Sequence, residues 1–201
     1  AGAKTLNAAG VRPGDRVMLM SENRPEWGIS YFAILLAGAI AVPLDSQLKP
    51  DEVANLARAS GAEHGILSRR IVERLAADAD LALPLEREAK RDPLASITSA
   101  ATSVAQEWTE GHAILAGWLT QRRDTLRAAD PDAAGLPPLT VWSFDEVFDP
   151  PATDVVLPDV RGDATASIIF TSGTTGTPKG VVLTHKNFTS MVAKLSSLFT
   201  L

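Results

Sequence analysis

Short apolar runs alternate with helix-forming segments through the first part of this chain. Val17–Met20 is an apolar run that follows a turn-forming Pro-Gly pair, and Ile40–Leu44 is a second run that contains β-branched residues. Between them, Pro25 suits the first turn of a helix that we expect to extend to about Ala37. Strand, helix and strand in close succession predict an α/β fold with a mostly parallel sheet and crossover helices.

The same alternation continues along the chain. A helix is predicted from about Pro50 to Gly61, followed by a strand at Gly65–Ser68 and a helix at Ile71–Ala79. Ser21 and Asn23 are expected to cap the first helix. Later elements are predicted as strands at Thr140–Phe144, Ala166–Phe170 and Val181–Leu183, a helical turn at Asp145–Phe148, and a helix at Lys186–Phe199 that Thr184 or His185 caps.

The most apolar stretch, Ile29–Leu44, is interrupted by Ser30, Gly38 and Pro43 and is shorter than the roughly 20 residues of a membrane-spanning helix. It therefore predicts a buried helix that runs into a strand. The N-terminal residues lack the basic and apolar regions of a signal peptide. The sequence contains no cysteine, which excludes disulfides and thiolate metal sites, and we expect a cytoplasmic protein.

Residues from about 83 to 138 differ in composition and are interpreted as a helical insertion. Trp108, Leu115, Leu119 and Leu126 recur at helical spacing and predict a surface helix that packs on the main body. The polar side of this helix is predicted to carry Glu107, Arg122, Arg123 and Arg127. Trp118 adds a second large aromatic residue, so peripheral membrane contact or a partner helix is the alternative role.

The charged residues argue against nucleic-acid binding. The chain has 19 basic and 24 acidic residues, a net charge of -5, and its basic residues are scattered. The three histidines, His64, His112 and His185, have no mutual spacing that suggests a metal site or a catalytic pair, so roles in the core or on the surface are expected.

The segment 168–180 carries the most specific chemistry in the sequence. It holds five small hydroxyl residues, three glycines and one lysine between two apolar strands. Gly173 and Gly176 let backbone N–H groups approach anionic oxygens, while the hydroxyl groups can donate further hydrogen bonds. Lys179 adds a positive charge that suits an oligophosphate.

Two other types of loop resemble this segment. A Walker P-loop is excluded because Pro178 precedes the lysine where that motif has glycine, Gly180 replaces its Ser or Thr, and a strand is predicted to follow. A flexible linker would have the same composition. However, linkers are seldom held between two buried strands.

The segment TSGTTGTPKG, residues 171–180, resembles the signature of the adenylate-forming superfamily, which includes acyl-CoA synthetases, adenylation domains of peptide synthetases and luciferases. Four further stretches are similar to the family in order and spacing. They are Gly14–Val17, Glu22–Trp27, Leu36–Asp45 and Gly180–Phe188. The resemblance covers most of the chain outside the 83–138 insertion, and it is greatest to long-chain fatty acyl-CoA synthetases.

The resemblance implies a two-step reaction with ATP, Mg²⁺ and CoA. A small-molecule carboxylate, expected to be a fatty acid, would attack the α-phosphate of ATP, and a thiol would then take the acyl group. An amino-acid or aryl-acid ligase is the alternative enzyme, and a noncatalytic nucleotide-binding or interaction module is the alternative of another class. The residues implied in ATP binding are Thr171, Ser172, Gly173, Thr174, Thr175, Gly176, Thr177, Pro178, Lys179 and Gly180.

Later elements of the family pattern are not found in these 201 residues. They include the Thr-Glu segment, the acidic residue for the ribose and the C-terminal lysine. We therefore expect a fragment of the large N-terminal domain, without a complete catalytic set and inactive by itself. The loop is also predicted to be mobile without nucleotide, since glycines and exposed hydroxyl groups have few apolar contacts.

Overall fold

The computed structural model of the chain describes residues 1–82, 97–127, 137–151, 154–171 and 178–198. The side chains of 97–109, 126–127 and 198 are outside this description. The helices are α1 (Gly2–Ala8), α2 (Pro25–Leu36), α3 (Pro50–Ser60), α4 (Arg69–Asp78), α5 (Ile97–Arg127), α6 (Phe144–Phe148) and α7 (His185–Leu198). The strands are β1 (Arg16–Met20), β2 (Ile40–Pro43), β3 (His64–Leu67), β4 (Thr140–Trp142), β5 (Thr165–Thr171) and β6 (Lys179–Thr184).

The described strands form a six-stranded sheet in the order β4-β3-β1-β2-β5-β6. All neighbouring pairs are parallel except β5 and β6, which are antiparallel. The chain moves from β1 to β2 on one side and then returns past β1 to β3. The predicted α/β class and mostly parallel sheet are therefore confirmed, and the crossover helices lie on both faces, as right-handed connections require.

Two apolar cores lie on opposite faces of the sheet. Met18 and Met20 of β1 face a core with α3, α4 and α5, to which Leu75 contributes. Val17 and Leu19 face the other core with α1, α2 and α6. Successive strand residues point to opposite faces, so the uninterrupted apolar sequence of β1 is explained by burial on both sides.

Helix α5 packs against α3, α4 and β4, as predicted for a helix on the main body. Leu115 and Leu119 are fully buried, and Trp118 is half-buried against the same core. Trp108 and Leu126, predicted on the same face, are outside the described side chains. None of the helices described combines the length and apolar character needed to cross a bilayer.

The prediction that Arg123 lies on the polar side of this helix is wrong. Its side chain is 1% exposed, and its guanidinium donates to the carbonyl oxygens of Pro137 at 2.9 Å and Ala62 at 3.4 Å. Arg122, the preceding residue, is exposed and pairs with Asp51 at 2.7 Å. Arg123 is buried because two carbonyl oxygens from neighbouring loops require a donor there, and no helical pattern contains that information.

Helix α2 differs from its prediction in two respects. It is not a buried helix: Ile29, Phe32 and Leu36 are 56%, 64% and 58% exposed, although Ile34 on the opposite side is fully buried. Its N-cap is Arg24, without a side-chain cap hydrogen bond, rather than Ser21 or Asn23. Pro25 fixes the first turn, so the helix begins without a capping side chain.

Helix α1 was not predicted. It is a short helix with no side-chain cap, and its place depends on tertiary contacts. Leu6 is buried in the core with α2, and Thr5 donates to the carbonyl oxygen of Asp149 at 2.6 Å. Isolated helices of this length are unstable in water, so the packing of Leu6 explains why this one forms.

Candidate functional site

The predicted phosphate loop connects the two strands of the β5–β6 hairpin. Thr171, the last residue of β5, pairs with Lys179, the first residue of β6, and both are exposed. Thr171, Pro178, Lys179 and Gly180 are thus placed at the two strand ends. The remaining predicted site residues, Ser172, Gly173, Thr174, Thr175, Gly176 and Thr177, lie outside the described residues, and so does the predicted mobility of the loop.

The hairpin opens at the edge of the sheet where α/β proteins bind ligands. Strand β5 runs parallel to β2, with Ala41 opposite Ser167, so Thr171 lies at the same edge as the carboxyl ends of β1 to β4. Ligands of open α/β sheets bind at this edge. A strand, β6, follows the loop, as predicted, whereas a helix follows the loop in a P-loop protein.

Gly180 has a packing role in addition to the backbone role predicted for it. It lies opposite Phe170 in the hairpin. A Cβ atom at this position would lie 2.8 Å from Cγ2 of Ile168 and 3.4 Å from the ring of Phe170. The absence of a side chain therefore leaves room for Ile168 and Phe170 of β5 to pack beside β6.

The carboxyl ends of β1 and β3 form a second place where an α/β sheet can bind an anion, because the chain reverses direction between them. In this chain the anion at this place is a carboxylate of the protein itself, that of Glu22. Ser68, the N-cap of α4, donates to Oε2 of Glu22 at 2.6 Å and accepts from the backbone N–H of Ile71 at 3.3 Å. The Glu22 carboxylate thus lies beside the N-terminus of α4, where a helix favours negative charge.

The pKa of Glu22 follows from these contacts. Burial acts to raise it, but the hydrogen bond from Ser68 and the positive charge of Arg24 lower it below the usual glutamate value. The sequence pattern predicted Ser68 only as the last residue of a strand. A serine at the start of a predicted helix is the signal that could have identified it as a cap.

Arg24 holds the connection between β1 and α2 in place. It donates two hydrogen bonds of 2.9 Å to Glu26, lies 3.4 Å from Glu22, and stacks over the ring of Phe144 at 5.2 Å. The hydrogen bonds from Arg24 lower the pKa of Glu26 to about 2. The Glu22–Trp27 stretch is therefore explained by a local ion-pair network that orders this edge of the sheet.

The three histidines have separate surroundings. His112 is buried, with Nε2 3.3 Å from the carbonyl oxygen of Leu67. His64 stacks on Trp142 and lies 3.6 Å from Asp15, and burial lowers its pKa more than Asp15 raises it. His185 begins α7, and burial lowers its pKa. Within the described residues there is no group of three His, Asp or Glu residues that could hold a metal ion.

The chain is similar in sequence to known CoA ligases. The chain is 25% identical over 192 residues to 4-coumarate–CoA ligase 4 of Arabidopsis thaliana, with 96% of the chain and 27% of the relative aligned. It is 30% identical over 188 residues to crotonobetaine/carnitine–CoA ligase of Salmonella arizonae, with 92% and 28% aligned. The chain therefore spans little more than a quarter of the length of these curated relatives.

The fold is similar to that of o-succinylbenzoate coenzyme A synthetase from Bacillus subtilis, solved in complex with AMP. The TM-score is 0.60 at 19% identity, and the alignment covers 100% of this chain and 37% of the other. The sequence model of the AMP-binding enzyme family matches residues 1–200. The resemblance noted from the loop is confirmed, and this chain belongs to the AMP-binding enzyme family.

Proposed function

We propose that this chain is the part of an adenylate-forming ligase that binds the phosphates of ATP. In the first step a carboxylate oxygen attacks the α-phosphorus, the bond to the bridging oxygen breaks, and pyrophosphate leaves. In the second step the thiol of CoA displaces AMP from the acyl-adenylate. The observation that supports this most directly is the pairing of Thr171 with Lys179 at the ligand-binding edge of the sheet, at the two ends of the loop.

The loop residues would act by holding the departing pyrophosphate. The Lys179 ammonium group emerges from the strand end and is exposed, so it can reach phosphate oxygens. The hydroxyl groups of Thr171, Ser172, Thr174 and Thr175 would donate to the same oxygens as negative charge develops on them. The backbone at Gly173 and Gly176 would complete the set of donors.

We propose that Mg²⁺ binds together with ATP. The described residues offer no cluster of carboxylates or imidazoles for it. Its ligands would therefore be phosphate oxygens, water and groups outside the described residues, an arrangement typical of Mg²⁺ bound with nucleotides.

We further propose that residues 1–201 form part of a larger N-terminal domain, with 83–138 as a helical insertion, in a protein of the cytoplasm. The support is that the chain spans only 27% and 28% of the two curated relatives aligned to it. The chain by itself is then expected to bind nucleotide weakly and not to catalyse either step, since no complete catalytic set is present.

The acid that is activated is proposed to be a fatty acid, from the resemblance of the Asn23–Trp27 and Leu183–Asn187 stretches to fatty acyl-CoA synthetases. An aryl acid is the second candidate, because a relative aligned over 96% of the chain is named for 4-coumarate. A panel of fatty and aryl carboxylates, tested for ATP- and CoA-dependent AMP formation with the complete translation product of the gene, decides between them.

The phosphate-binding role can be tested on the chain itself. We expect Lys179→Met to weaken ATP binding about tenfold or more, since a charge-assisted hydrogen bond contributes roughly 1.5–3 kcal/mol. The measurement is calorimetric titration with ATP and Mg²⁺. Lys194→Met removes an exposed lysine of α7 and is the control, which should leave ATP affinity unchanged.

Equal affinities of the two lysine variants would contradict the role of Lys179. Pyrophosphate release by the isolated chain, dependent on an added carboxylate, would contradict the proposal that it is inactive alone. ATP binding without turnover by the complete translation product would favour the noncatalytic alternative.

A further inference from the structure

The register of the sheet places polar residues in one row along its carboxyl edge. Leu19 of β1 is opposite Pro43 of β2 and Ile66 of β3. The backbone N–H of Leu44 donates to the carbonyl oxygen of Leu19 at 2.9 Å, so the pairing of β1 with β2 continues beyond Pro43. The same register, continued by two residues, aligns the positions that follow the three strands, and all of them are polar. They are Ser21, Asp45 and Ser68.

The phosphate loop begins beside Asp45. Ala41 of β2 is opposite Ser167 of β5, and an equal advance along these two parallel strands brings Asp45 level with Thr171. Thr171 is in turn paired with Lys179 across the hairpin. Neighbouring strands lie about 4.8 Å apart, so the Cα atoms of Asp45 and Lys179 are about 10 Å apart, with Thr171 between them.

Asp45 and Lys179 are the two charged members of this row, and their charges have opposite signs. Both side chains are exposed, and neither forms an ion pair among the described residues. Oδ1 of Asp45 accepts a hydrogen bond from the backbone N–H of Gln47 at 2.8 Å, which holds the carboxylate in the turn after β2. A ligand of the loop therefore meets one positive and one negative group, one on either side of Thr171.

These two charges act differently on the two forms of ATP. The triphosphate is strongly negative, and bound Mg²⁺ offsets part of its charge. The Lys179 ammonium group attracts either form, whereas the Asp45 carboxylate repels the metal-free form more strongly because that form carries more negative charge. Two unit charges about 10 Å apart in water change an affinity about twofold, so the two charges of Mg²⁺ correspond to a difference of about fourfold.

We propose that Asp45 is a specificity-determining residue, which makes the phosphate loop select ATP that carries Mg²⁺ over metal-free ATP. This inference rests on the proposed function, because it concerns the phosphates that the loop is proposed to hold. Lys179 supplies affinity for phosphate, and Asp45 weakens the binding of a triphosphate whose charge no cation offsets. Asp45 acts through its charge over a distance, so this role requires no bond between the carboxylate and the metal ion.

The test is calorimetric titration of the chain with ATP at low ionic strength, once with excess Mg²⁺ and once with a chelator in its place. Asp45→Asn should bind metal-free ATP more tightly than the unchanged chain does. The ratio of the affinities for Mg²⁺-bound and metal-free ATP should fall about fourfold. The asparagine retains an Oδ1 atom that can accept from Gln47, so the turn after β2 is kept. High salt should abolish most of this difference, because it screens charges at this distance.

Two further variants separate the effect of charge from an effect of structure. Asp45→Glu keeps the negative charge and should keep the selectivity for Mg²⁺-bound ATP. Asp159→Asn removes an exposed carboxylate from the segment that precedes β5, at the opposite edge of the sheet, and should leave the affinity ratio unchanged. If circular dichroism shows that Asp45→Asn does not fold, Asp45→Ser takes its place, since its hydroxyl group can also accept from Gln47.

An affinity ratio that Asp45→Asn leaves unchanged, or that Asp45→Glu lowers as much as Asp45→Asn does, would overturn the inference. If Lys179→Met weakens ATP binding in the same experiment, the proposed function would still stand. A ratio that falls with Asp45→Asn, together with ATP binding that Lys179→Met does not weaken, would contradict the role of Lys179 and support that of Asp45. A chain that binds neither form of ATP would contradict both.

Discussion

Gly180 lies at the point where the phosphate loop joins strand β6, and the side chains of β5 fill the space beside it. The sequence predicted that glycine is needed here for the path of the backbone. The structure adds a packing reason, since Ile168 and Phe170 occupy the place of a side chain. The identity of these neighbours depends on the hairpin register, which pairs Phe170 with Gly180.

Gly180→Ala is therefore expected to lower the free energy of unfolding by about 1–3 kcal/mol, because the new methyl group must displace packed neighbours. Urea unfolding followed by circular dichroism measures this change. Gly117→Ala is the matched control, since its Cβ would meet no atom within 4 Å and it lies within helix α5. The control should stabilise the chain by roughly 0.5–1 kcal/mol. A Gly180→Ala variant as stable as the control would show that the hairpin tolerates a side chain there.

At the scale of the element, helix α4 begins with a cap that also holds Glu22, in the connection between β1 and α2. Ser68 caps the helix by accepting a hydrogen bond from the backbone N–H of Ile71. It also holds the connection between β1 and α2 by donating a hydrogen bond to the Glu22 carboxylate. Hydrophobic periodicity predicted the helix at about the correct bounds. The link to Glu22 joins residues 46 positions apart, so it could not be read from a local pattern.

Ser68→Ala is expected to cost about 1–2 kcal/mol at neutral pH, because both a cap and a hydrogen bond to a carboxylate are lost. The pKa of Glu22 is lowered in the folded state, so its contribution is present above the usual glutamate value of 4.5 and is lost as pH falls through the folded pKa. The cost of Ser68→Ala should therefore shrink in acid. Urea midpoints measured from pH 7 to pH 3 test this.

The Glu22→Gln background provides the control for that titration. There, Ser68→Ala should cost about the same at both ends of the pH range, since the ionisable partner is gone. A cost that falls with pH equally in both backgrounds would assign the effect to another group.

At the scale of the whole molecule, the sheet separates two cores that use alternate residues of the same strands. Ile34 of α2 belongs to one and Ile71 of α4 to the other. Packed layers lie about 10 Å from a sheet, so side chains in the two cores do not share neighbours.

Ile34→Val and Ile71→Val are each expected to cost about 0.5–1.5 kcal/mol, the usual loss for one buried methylene. Their effects should add in the double variant to within roughly 0.5 kcal/mol, because the sites are distant and have no common partner. Urea unfolding of the two single variants and the double variant measures the interaction energy. An interaction energy larger than this would mean that a substitution in one core changes the packing of the other.

Much of this architecture could be predicted from local sequence. Turn residues and apolar runs predicted β1, β2, β3 and the helices that follow them to within one or two residues of their observed bounds. This was possible because the periodicity of strands and helices, and the effects of proline and glycine, depend only on a few neighbouring residues. The loop at 171–180 was identified by its composition together with the apolar strands predicted on either side of it. The same local rules could not find α1, whose helix depends on burying Leu6 against α2.

The chain's own residues thus determined which segments become strands and helices, which loop is proposed to bind phosphate, and the family to which the chain belongs. Only the tertiary structure decided that Arg123 is buried, that Glu22 binds at the start of α4, and that one face of α2 is left uncovered beside β6. The physical reason is that burial and pairing depend on which distant segments meet, and a local pattern records only that a residue is apolar or charged.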